Sequence, residues 1–275
     1  MARRFHSAVV DVPDLEVAAR DYTRLLGHPP ARKESQRGEE TRSVWFALGN
    51  GALELRARPA GPWGQSGLRL AEEAQGRAGS LVGTGGAPPA ECCAKELEGR
   101  ADRHWRSEHV SLDESRGIPV EWIREERPPI APSPPREGEG TVDLETQIRA
   151  IDHVVILSAA PDETRAFYRD GLGLRLALDK SFEARKVRLL FFRVGGVTIE
   201  VGARLGGAAH PDERDRFGGL AWQVPRAEAI QARLRREGFD VSEVRDGHKP
   251  GTRVCTVRDP VHGVPTLLIQ PAAES

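Results

Sequence analysis

Apolar and polar positions at the start of the chain follow the spacing of strands and of one amphipathic helix. The valine-rich stretch 5–12 is typical of a buried strand, and Asp14 just after it is a good helix cap. From 15 to 26 apolar residues recur every three or four positions, and Gly27 ends this pattern. The predicted order is a strand at 5–12, a helix at 15–26, and strands at 42–48 and 52–58 joined by the glycine turn 49–51.

The same pattern returns 146 positions later. The segment 44–58 aligns without a gap on 190–204, and the same offset relates the only two tyrosines of the chain. A duplicated fold is the simplest explanation of this repeat. Glu54 and Glu200 occupy the same place in the two copies and are flanked by apolar residues. These two glutamates are therefore the first candidates for a functional role.

Each copy is predicted to contain a second unit of the same kind. In the first copy its opening strand is either 67–71 or 79–84, and we favour 79–84 because it leads directly into a helix predicted near 90–97. The last strand of this unit is predicted at 120–124. The second copy is clearer, with strands at 151–157, 174–178, 219–224, 253–257 and 266–269, helices at 162–171 and 225–237, and a hairpin around Gly195-Gly196.

The chain of 275 residues is long enough for two domains that each bury a core. A proline-rich stretch at 128–135, followed by alternating glutamate and glycine, has the composition of a linker. We therefore predict an α+β protein with an N-terminal domain at 1–127, a linker at 128–149 and a C-terminal domain at 150–275.

Charge and composition narrow the classes of partner. Lysine and arginine number 40 against 41 aspartates and glutamates, so the sequence favours neither nucleic acid nor a membrane surface as partner. The three cysteines do not suggest a disulfide framework, and the start of the chain lacks the long apolar run of a signal or membrane segment. We expect a cytoplasmic protein, a monomer or a homodimer, with a small-molecule ligand. A nucleotide cofactor is not expected, because the region 83–86 lacks the spacing of a phosphate loop.

The repeated units carry a recognisable sequence pattern. Four strand-helix-strand-strand-strand units, paired two by two, include the opening Asp152-His153-Val154-Val155-Ile156 and the segment 167–173. In this the chain resembles the vicinal oxygen chelate superfamily, which includes glyoxalase I, the bleomycin-resistance proteins, fosfomycin-resistance enzymes and extradiol dioxygenases. The resemblance implies four such modules paired into two glyoxalase-like domains. It does not specify a reaction, because one scaffold serves many chemistries.

The resemblance also implies a cup-shaped sheet in each domain, with up to four metal ligands on its inner face. In the second unit of each copy, the first-strand ligand position falls on Val82 or Gly67 in the first copy and on Gly219 in the second copy. The last-strand ligand position of the second copy falls on Leu267. None of these four can act as a side-chain ligand. The ligand positions that remain are His6, Glu54 and Glu121 in the first domain and His153 and Glu200 in the second.

A divalent metal at such a set would chelate two neighbouring substrate oxygens and act as a Lewis acid in lyase, isomerase or oxygenase chemistry. Imidazole with carboxylates suits iron, manganese, nickel or zinc. Arg253 and Lys249 are the candidates for contact with an anionic group of the substrate. Candidates for an apolar wall are Trp222, Phe192 and Trp45.

Two other interpretations stay open. The histidines and glutamates can be packed structural residues, paired with nearby arginines such as Arg56 and Arg193. The protein can also be a metal-free module that sequesters a drug or metabolite in an apolar cup, as bleomycin-resistance proteins do. The loop 246–253 is either a solvated turn or a segment that closes over the second cup.

Overall fold

The structure is a computed structural model that describes residues 3–35, 41–58, 66–72, 105–125, 144–206 and 213–273. These residues form two mixed sheets with few helices, which confirms the predicted α+β class. The helices are α1 (Leu15–Leu26), α2 (Pro161–Ala166, continued by a π-helical turn at Phe167–Gly171) and α3 (Ala227–Arg236).

The first sheet contains seven strands and the second contains nine. The N-terminal strands are β1 (Arg3–Val12), β2 (Arg32–Ser35), β3 (Thr41–Leu48), β4 (Gly51–Ala57), β5 (Gly67–Glu72), β6 (Trp105–His109) and β7 (Val120–Glu125). The C-terminal strands are β8 (Ala150–Leu157), β9 (Arg175–Phe182), β10 (Val187–Val194), β11 (Val197–Arg204), β12 (Arg216–Gln223), β13 (Asp240–Val241), β14 (Arg245–Asp246), β15 (Arg253–Asp259) and β16 (Thr266–Gln270).

The two sheets have the same strand order. The N-terminal order is β2-β3-β4-β1-β5-β7-β6, and the C-terminal order β9-β10-β11-β8-β12-β16-β15 is its counterpart strand for strand. The pairing register repeats as well, since Val9 lies opposite Glu54 and Val155 lies opposite Glu200. The fold therefore reproduces the sequence duplication at the level of individual residue pairs.

Helix α1 forms where the sequence pattern predicts it. The side chain of Asp14 accepts a hydrogen bond from the Val17 N–H at 2.9 Å, and Gly27 ends the helix in the left-handed conformation at φ 77°. Its apolar face, which includes Tyr22 and Leu26, is buried. Buried apolar side chains of both halves join in one connected core on the helix side of the sheets.

The second unit of the N-terminal half differs from the prediction. Its opening strand is β5, which pairs with β1 on one side and β7 on the other, so the preference for 79–84 was wrong and the earlier placement was right. The residues 79–84 and the helix predicted at 90–97 lie outside the described residues. The strands β2 and β6 were not predicted, and both are short edge strands.

The two halves contact each other through a pair of equivalent loops. Arg116 and His262 are related by the repeat offset, and both adopt left-handed backbone conformations, at φ 55° and φ 52°. The His262 Nε2 lies 3.0 Å from Asp21 Oδ2 on α1, while Arg116 pairs with Glu163 of α2 and, at 3.4 Å, with Asp215. Each half thus inserts a polar side chain next to the first helix of the other.

The strand β8 is held at its start by the N-terminal half. The Asn50 Nδ2 donates to the Ile151 carbonyl at 2.7 Å, and the Ile151 N–H donates back to Asn50 Oδ1 at 3.0 Å. Just before β8, the Ile148 N–H donates to the Leu26 carbonyl at 2.9 Å. The end of the predicted linker is therefore packed against the N-terminal half. Within the described ranges, no helix is long and apolar enough to cross a membrane.

Candidate functional site

The strand register of the C-terminal sheet defines a row of side chains across its concave face, which we call the C-terminal cup. In this row Arg193 lies opposite Thr198, Thr198 opposite His153, His153 opposite Ala221, and Ala221 opposite Leu267. The polar side chains thus cluster on one half of the row, and small or apolar side chains occupy the other half.

The next row across the C-terminal cup contains Phe191, Glu200, Val155 and Gly219. Phe191, Val155 and Glu200 are half-buried, which is the exposure of an open concave surface. Gly219 has φ 138°, and a Cβ there would lie 2.3 Å from the Pro265 carbonyl oxygen. That close approach explains why this position has no side chain to offer a ligand.

Two aromatic residues predicted to line the site are in the core instead. Because strand side chains alternate, Phe192 faces away from the cup, packs 5.4 Å from the Tyr168 ring, and is fully buried. Trp222 is also buried in the core, opposite Ile151. The aromatic side chain on the cup face at this point is that of the neighbouring residue, Phe191.

His153 lies between two carboxylates. Its Nδ1 is 2.8 Å from Asp152 Oδ1, and its Nε2 is 3.7 Å from Glu200 Oε2. The first distance is a hydrogen bond, in which a proton on Nδ1 is donated to Asp152. The second is longer than a hydrogen bond, so Nε2 and the Glu200 carboxylate leave room for a ligand atom or a water between them. This arrangement fixes the imidazole and directs Nε2 into the cup.

The charge of Asp152 is stabilised by its neighbours. Burial alone would raise the pKa of Asp152, but hydrogen bonds with His153 and Gln223 and the positive charge of Arg193 lower it overall. The Gln223 Nε2 donates to Asp152 Oδ2 at 3.1 Å, and Arg193 donates to Thr198 Oγ1 at 2.6 Å. Asp152 is thus held as an anion that orients His153.

The predicted anion anchor does not face the cup. Arg253 lies on the helix side of β15, where it donates to Glu228 of α3 at 2.9 Å and to Asp246 at 2.9 Å. Both carboxylates already neutralise it, and they raise its pKa. Lys249 lies in an exposed turn, in which its carbonyl accepts from the Thr252 hydroxyl at 2.6 Å.

The turn that contains Lys249 nevertheless reaches the opposite edge of the sheet. His248 Nε2 lies 3.3 Å from Arg185 Nη1, and Arg185 belongs to the turn between β9 and β10. The Arg185 guanidinium also stacks on Phe182, 4.6 Å from the ring centre. The turn 246–253 and the turn between β9 and β10 therefore contact each other through the side chains of His248 and Arg185.

The equivalent concave face of the N-terminal sheet, the N-terminal cup, is occupied by its own side chains. Arg69 donates from Nε to Glu121 Oε2 at 2.7 Å and from Nη1 to Glu54 Oε2. Its guanidinium carbon lies 5.2 Å from the centre of the Trp45 ring. All four side chains are buried. Trp45 thus faces the cup as predicted, and Glu121 points inward.

These contacts continue into a line of alternating charges, which we call the arginine–carboxylate chain. Arg56 lies 3.5 Å from Glu121 and 2.7 Å from Asp11. Asp11 in turn lies 2.9 Å from Arg58. In order, the chain consists of Arg58, Asp11, Arg56, Glu121, Arg69 and Glu54. Three guanidinium groups thus face three carboxylates.

His6 does not occupy the place of His153. The register of β1 shifts between Phe5 and Ser7, and Ser7 lies opposite Ala52 as His153 lies opposite Thr198. His6 falls on the irregular position, with its Nδ1 3.0 Å from Ser7 Oγ and its ring 5.9 Å from that of Trp45. The sequence comparison of the two histidines was therefore off by one residue.

The described residues do not present a complete metal site. No group of three or more histidine, cysteine, aspartate or glutamate side chains among them is arranged to hold a metal ion. In the C-terminal cup, His153 and Glu200 have suitable donor chemistry, but they number two where such sites use three or more protein ligands. Two other histidines of the C-terminal half have partners of their own, His248 with Arg185 and His262 with Asp21, and His210 lies outside the described residues.

Sequence reasoning missed Arg69 as a member of the cups, chose Phe192 as a wall residue in place of its neighbour Phe191, and named Arg193 only as a partner of a glutamate. Arg69 was missed because its strand was placed elsewhere, although an arginine between Leu68 and Leu70 in a strand pattern is a usable signal of an inward charge. Phe191 and Phe192 are adjacent, so only the register distinguishes them.

Comparison with known proteins found one family model and several solved structures that are similar to part of this chain. Residues 150–266 match the model of the Glyoxalase/Bleomycin resistance protein/Dioxygenase superfamily. Methylmalonyl-CoA epimerase from Mycobacterium tuberculosis is 24% identical over 46% of this chain and 89% of its own, with a TM-score of 0.38. A variant of the Streptomyces coelicolor methylmalonyl-CoA epimerase, in complex with 2-nitronate-propionyl-CoA, is 24% identical over 47% and 99%, with a TM-score of 0.39.

A hypothetical protein from Bacillus halodurans is 18% identical over 46% of this chain and 96% of its own, with a TM-score of 0.39. The comparison with curated proteins gave no match.

Proposed function

We propose that the C-terminal cup, which lies within the residues 150–266 that match the glyoxalase/bleomycin resistance protein/dioxygenase model, binds a small oxygenated organic molecule and moves a proton on it. The observation that carries this proposal is the pair His153 and Glu200, which lie 3.7 Å apart on the same face of the C-terminal sheet, next to the half-buried Phe191 and Val155. The reaction classes that fit are those of a lyase or an isomerase, which begin with proton transfer next to a carbonyl group.

His153 is the proton-transfer residue in this proposal. Asp152 holds Nδ1 and fixes the tautomer, so Nε2 accepts a proton from the bound molecule and returns it. Glu200 faces the same gap and either stabilises the imidazolium that forms or acts as the second acid–base group. The two groups lie on adjacent strands, which keeps their spacing constant during the reaction.

The rest of the cup suggests the character of the molecule. Phe191 offers an apolar wall next to Glu200, and Ala221 and Leu267 leave space on the other side of His153. Arg193 is exposed at the polar end of the row and has a hydroxyl, that of Thr198, as its hydrogen-bond partner. A compound with a carboxylate or an enolisable carbonyl at one end and an apolar part at the other satisfies these features.

A divalent metal in this cup stays a prediction. His153 and Glu200 would be its protein ligands, and iron, manganese, nickel or zinc suits that donor pair. Such an ion would polarise substrate oxygens as a Lewis acid. Metal per chain, measured by elemental mass spectrometry after purification without chelator and compared with Glu200→Ala, tests this part separately.

The proton-transfer proposal is tested in deuterated water. Candidate 2-oxo acids, 2-hydroxy acids and 1,2-dicarbonyl compounds are incubated with the protein, and deuterium at the carbon next to the carbonyl is followed by NMR. We expect His153→Gln to abolish exchange while ligand binding, measured by calorimetry, persists. Arg193→Met is expected to weaken binding of anionic compounds about tenfold, as for the loss of one charge-assisted hydrogen bond.

Ser7→Ala is the matched control, because Ser7 is the N-terminal counterpart of His153. It is expected to leave exchange unchanged. Exchange that survives His153→Gln would contradict the proposal. Tight binding of a planar compound without any exchange would instead support sequestration of a drug or metabolite.

A further inference from the structure

The N-terminal cup contains a buried cation of its own. The side chain of Arg69 contacts both Glu54 and Glu121, and its exposed fraction is only 9%. These are two of the residues that the sequence suggested as metal ligands. The Arg69 guanidinium therefore lies between the two carboxylates that a metal ion at this site would need as ligands.

The surroundings of Arg69 fit a guanidinium in particular. Two separate nitrogens, Nε and Nη1, reach two different carboxylates, which a planar fork of donors can do and a point charge cannot. The face of the guanidinium lies over Trp45, which adds a cation–π contact. The position is therefore shaped around this one side chain.

The charge of the N-terminal cup is already neutralised. In the arginine–carboxylate chain each carboxylate has at least one guanidinium neighbour, and positive and negative groups are equal in number. A divalent ion entering this buried set would add two positive charges without a compensating anion, unless Arg69 left its place. Uncompensated buried charge is strongly unfavourable.

In the C-terminal cup, the positions equivalent to the arginine–carboxylate chain have mostly uncharged side chains. Arg69 lies between Ser7 and Glu121 in the N-terminal sheet. Ala221 lies between their counterparts, His153 and Leu267, in the C-terminal sheet, so Arg69 and Ala221 are equivalent. Asp11 and Arg56 correspond to Leu157 and Gly202 by the repeat offset. Of the six members of the chain, the charged side chain persists only at the counterparts of Glu54 and Arg58, namely Glu200 and Arg204.

We propose that Arg69 is the resident cation of the N-terminal cup, where its guanidinium takes the place of a metal ion between Glu54 and Glu121. The N-terminal cup is then closed to divalent cations, and the chain has one open cup, the C-terminal one. This inference opposes a metal at His6, Glu54 and Glu121, and it does not depend on the reaction proposed for the other cup.

The first test uses the full-length chain with His153→Ala and Glu200→Ala, so that the C-terminal cup does not compete for metal. Paramagnetic Mn²⁺ or Co²⁺ is added while the indole N–H resonance of Trp45, assigned with Trp45→Phe, is followed by NMR. We expect this resonance to keep its width at one equivalent of metal. Broadening that disappears when Glu54→Gln and Glu121→Gln are added would overturn the proposal.

The second test removes the guanidinium. Arg69→Ala leaves Glu54 and Glu121 without their shared cation, and His109, whose Nδ1 lies 3.7 Å from Glu121, is a third donor beside them. In the same background this variant is expected to gain binding of about one equivalent of Mn²⁺ or Zn²⁺ in equilibrium dialysis, with loss of that binding on Glu54→Gln. A folded Arg69→Ala protein that gains no metal would contradict the statement that Arg69 excludes it. If this variant does not fold, the Trp45 experiment decides, because it keeps Arg69 in place.

Discussion

Replacement of Arg69 by methionine tests the N-terminal cup through stability. Methionine keeps much of the length and apolar volume of the side chain but removes its charge. Glu54 and Glu121, whose side chains are 4% and 8% exposed, would then lose their shared partner. Removal of one member of a buried ion pair costs about 3–5 kcal/mol. We expect the free energy of unfolding of the N-terminal half to fall by about that amount at pH 7.

The loss of stability in Arg69→Met is expected to depend on pH, and the pKa of Glu121 determines in which direction. Burial is the largest influence on the pKa of Glu121 and would raise it, but Arg69, with smaller contributions from His109 and Arg56, holds the pKa below its ordinary 4.5. A lowered pKa contributes stability above pH 4.5 that is lost as the pH falls through the folded-state value. Without Arg69, burial favours the protonated acid, and stability is instead lost as the pH rises. The deficit of Arg69→Met is therefore largest at neutral pH and shrinks as the pH falls towards and through 4.5, by up to about 1.4 kcal/mol per pH unit for Glu121.

The assay is urea unfolding at pH 7 and pH 4, followed by tryptophan fluorescence. Arg58→Met is the matched control, because Arg58 belongs to the same chain of charges but its side chain is 47% exposed, and it should cost about 1 kcal/mol or less. The pair Arg69→Ala with Glu121→Leu copies the residues of the C-terminal cup and should recover much of the loss. A deficit for Arg69→Met no larger than that of the control, or one that grows at acid pH, would refute the reasoning.

Three further substitutions, each at one polar side chain, are tested by thermal and urea unfolding. Asp14→Ala removes the α1 cap and should cost about 1 kcal/mol, whereas no loss would mean that water replaces the cap. Tyr168→Phe removes a buried hydroxyl without a partner among the described residues and should stabilise by about 1 kcal/mol; a loss would reveal a partner. Burial is the main cause of the raised pKa of Asp215, so its contribution to stability is lost as the pH rises above 3.8. Asp215→Asn should therefore flatten the stability profile between pH 3.8 and neutrality, and an unchanged profile would contradict this.

The elements that sequence predicts well are those whose signal is local. Helix α1 has its cap, its apolar spacing and its terminal glycine within fourteen consecutive positions, Asp14 to Gly27. The choice between 67–71 and 79–84 has no such local signal. It is decided by pairing of β5 with β1 and β7, which are distant in sequence. Long-range strand pairing therefore limits what the pattern alone can establish.

The candidate site was predicted in part for the same reason. His153 and Glu200 were identified from the repeat and the family resemblance, and the structure places them 3.7 Å apart on one face. The facing of Phe191 and Phe192 depends on register. The misplacement of His6 was avoidable, because the repeat offset of 146 pairs His153 with Ser7 and His6 with Asp152. A shift of one residue reverses the face of every side chain that follows, and no composition or periodicity reveals it.

The duplicated cups indicate that the role of one glutamate is set by the residue two strands away on the same face of the sheet. Glu54 faces a guanidinium and is neutralised, whereas Glu200 faces His153 across a gap because Ala221 stands where the guanidinium would be. Ala221→Arg with Leu267→Glu should therefore convert the C-terminal cup to the closed arrangement. We expect loss of ligand binding and of deuterium exchange with the fold retained, as judged by circular dichroism, while Ala221→Met controls for filled volume. Loss of ligand binding in Ala221→Met as complete as in the charged pair would mean that filled space alone, and not the neutralisation of Glu200, distinguishes the two cups.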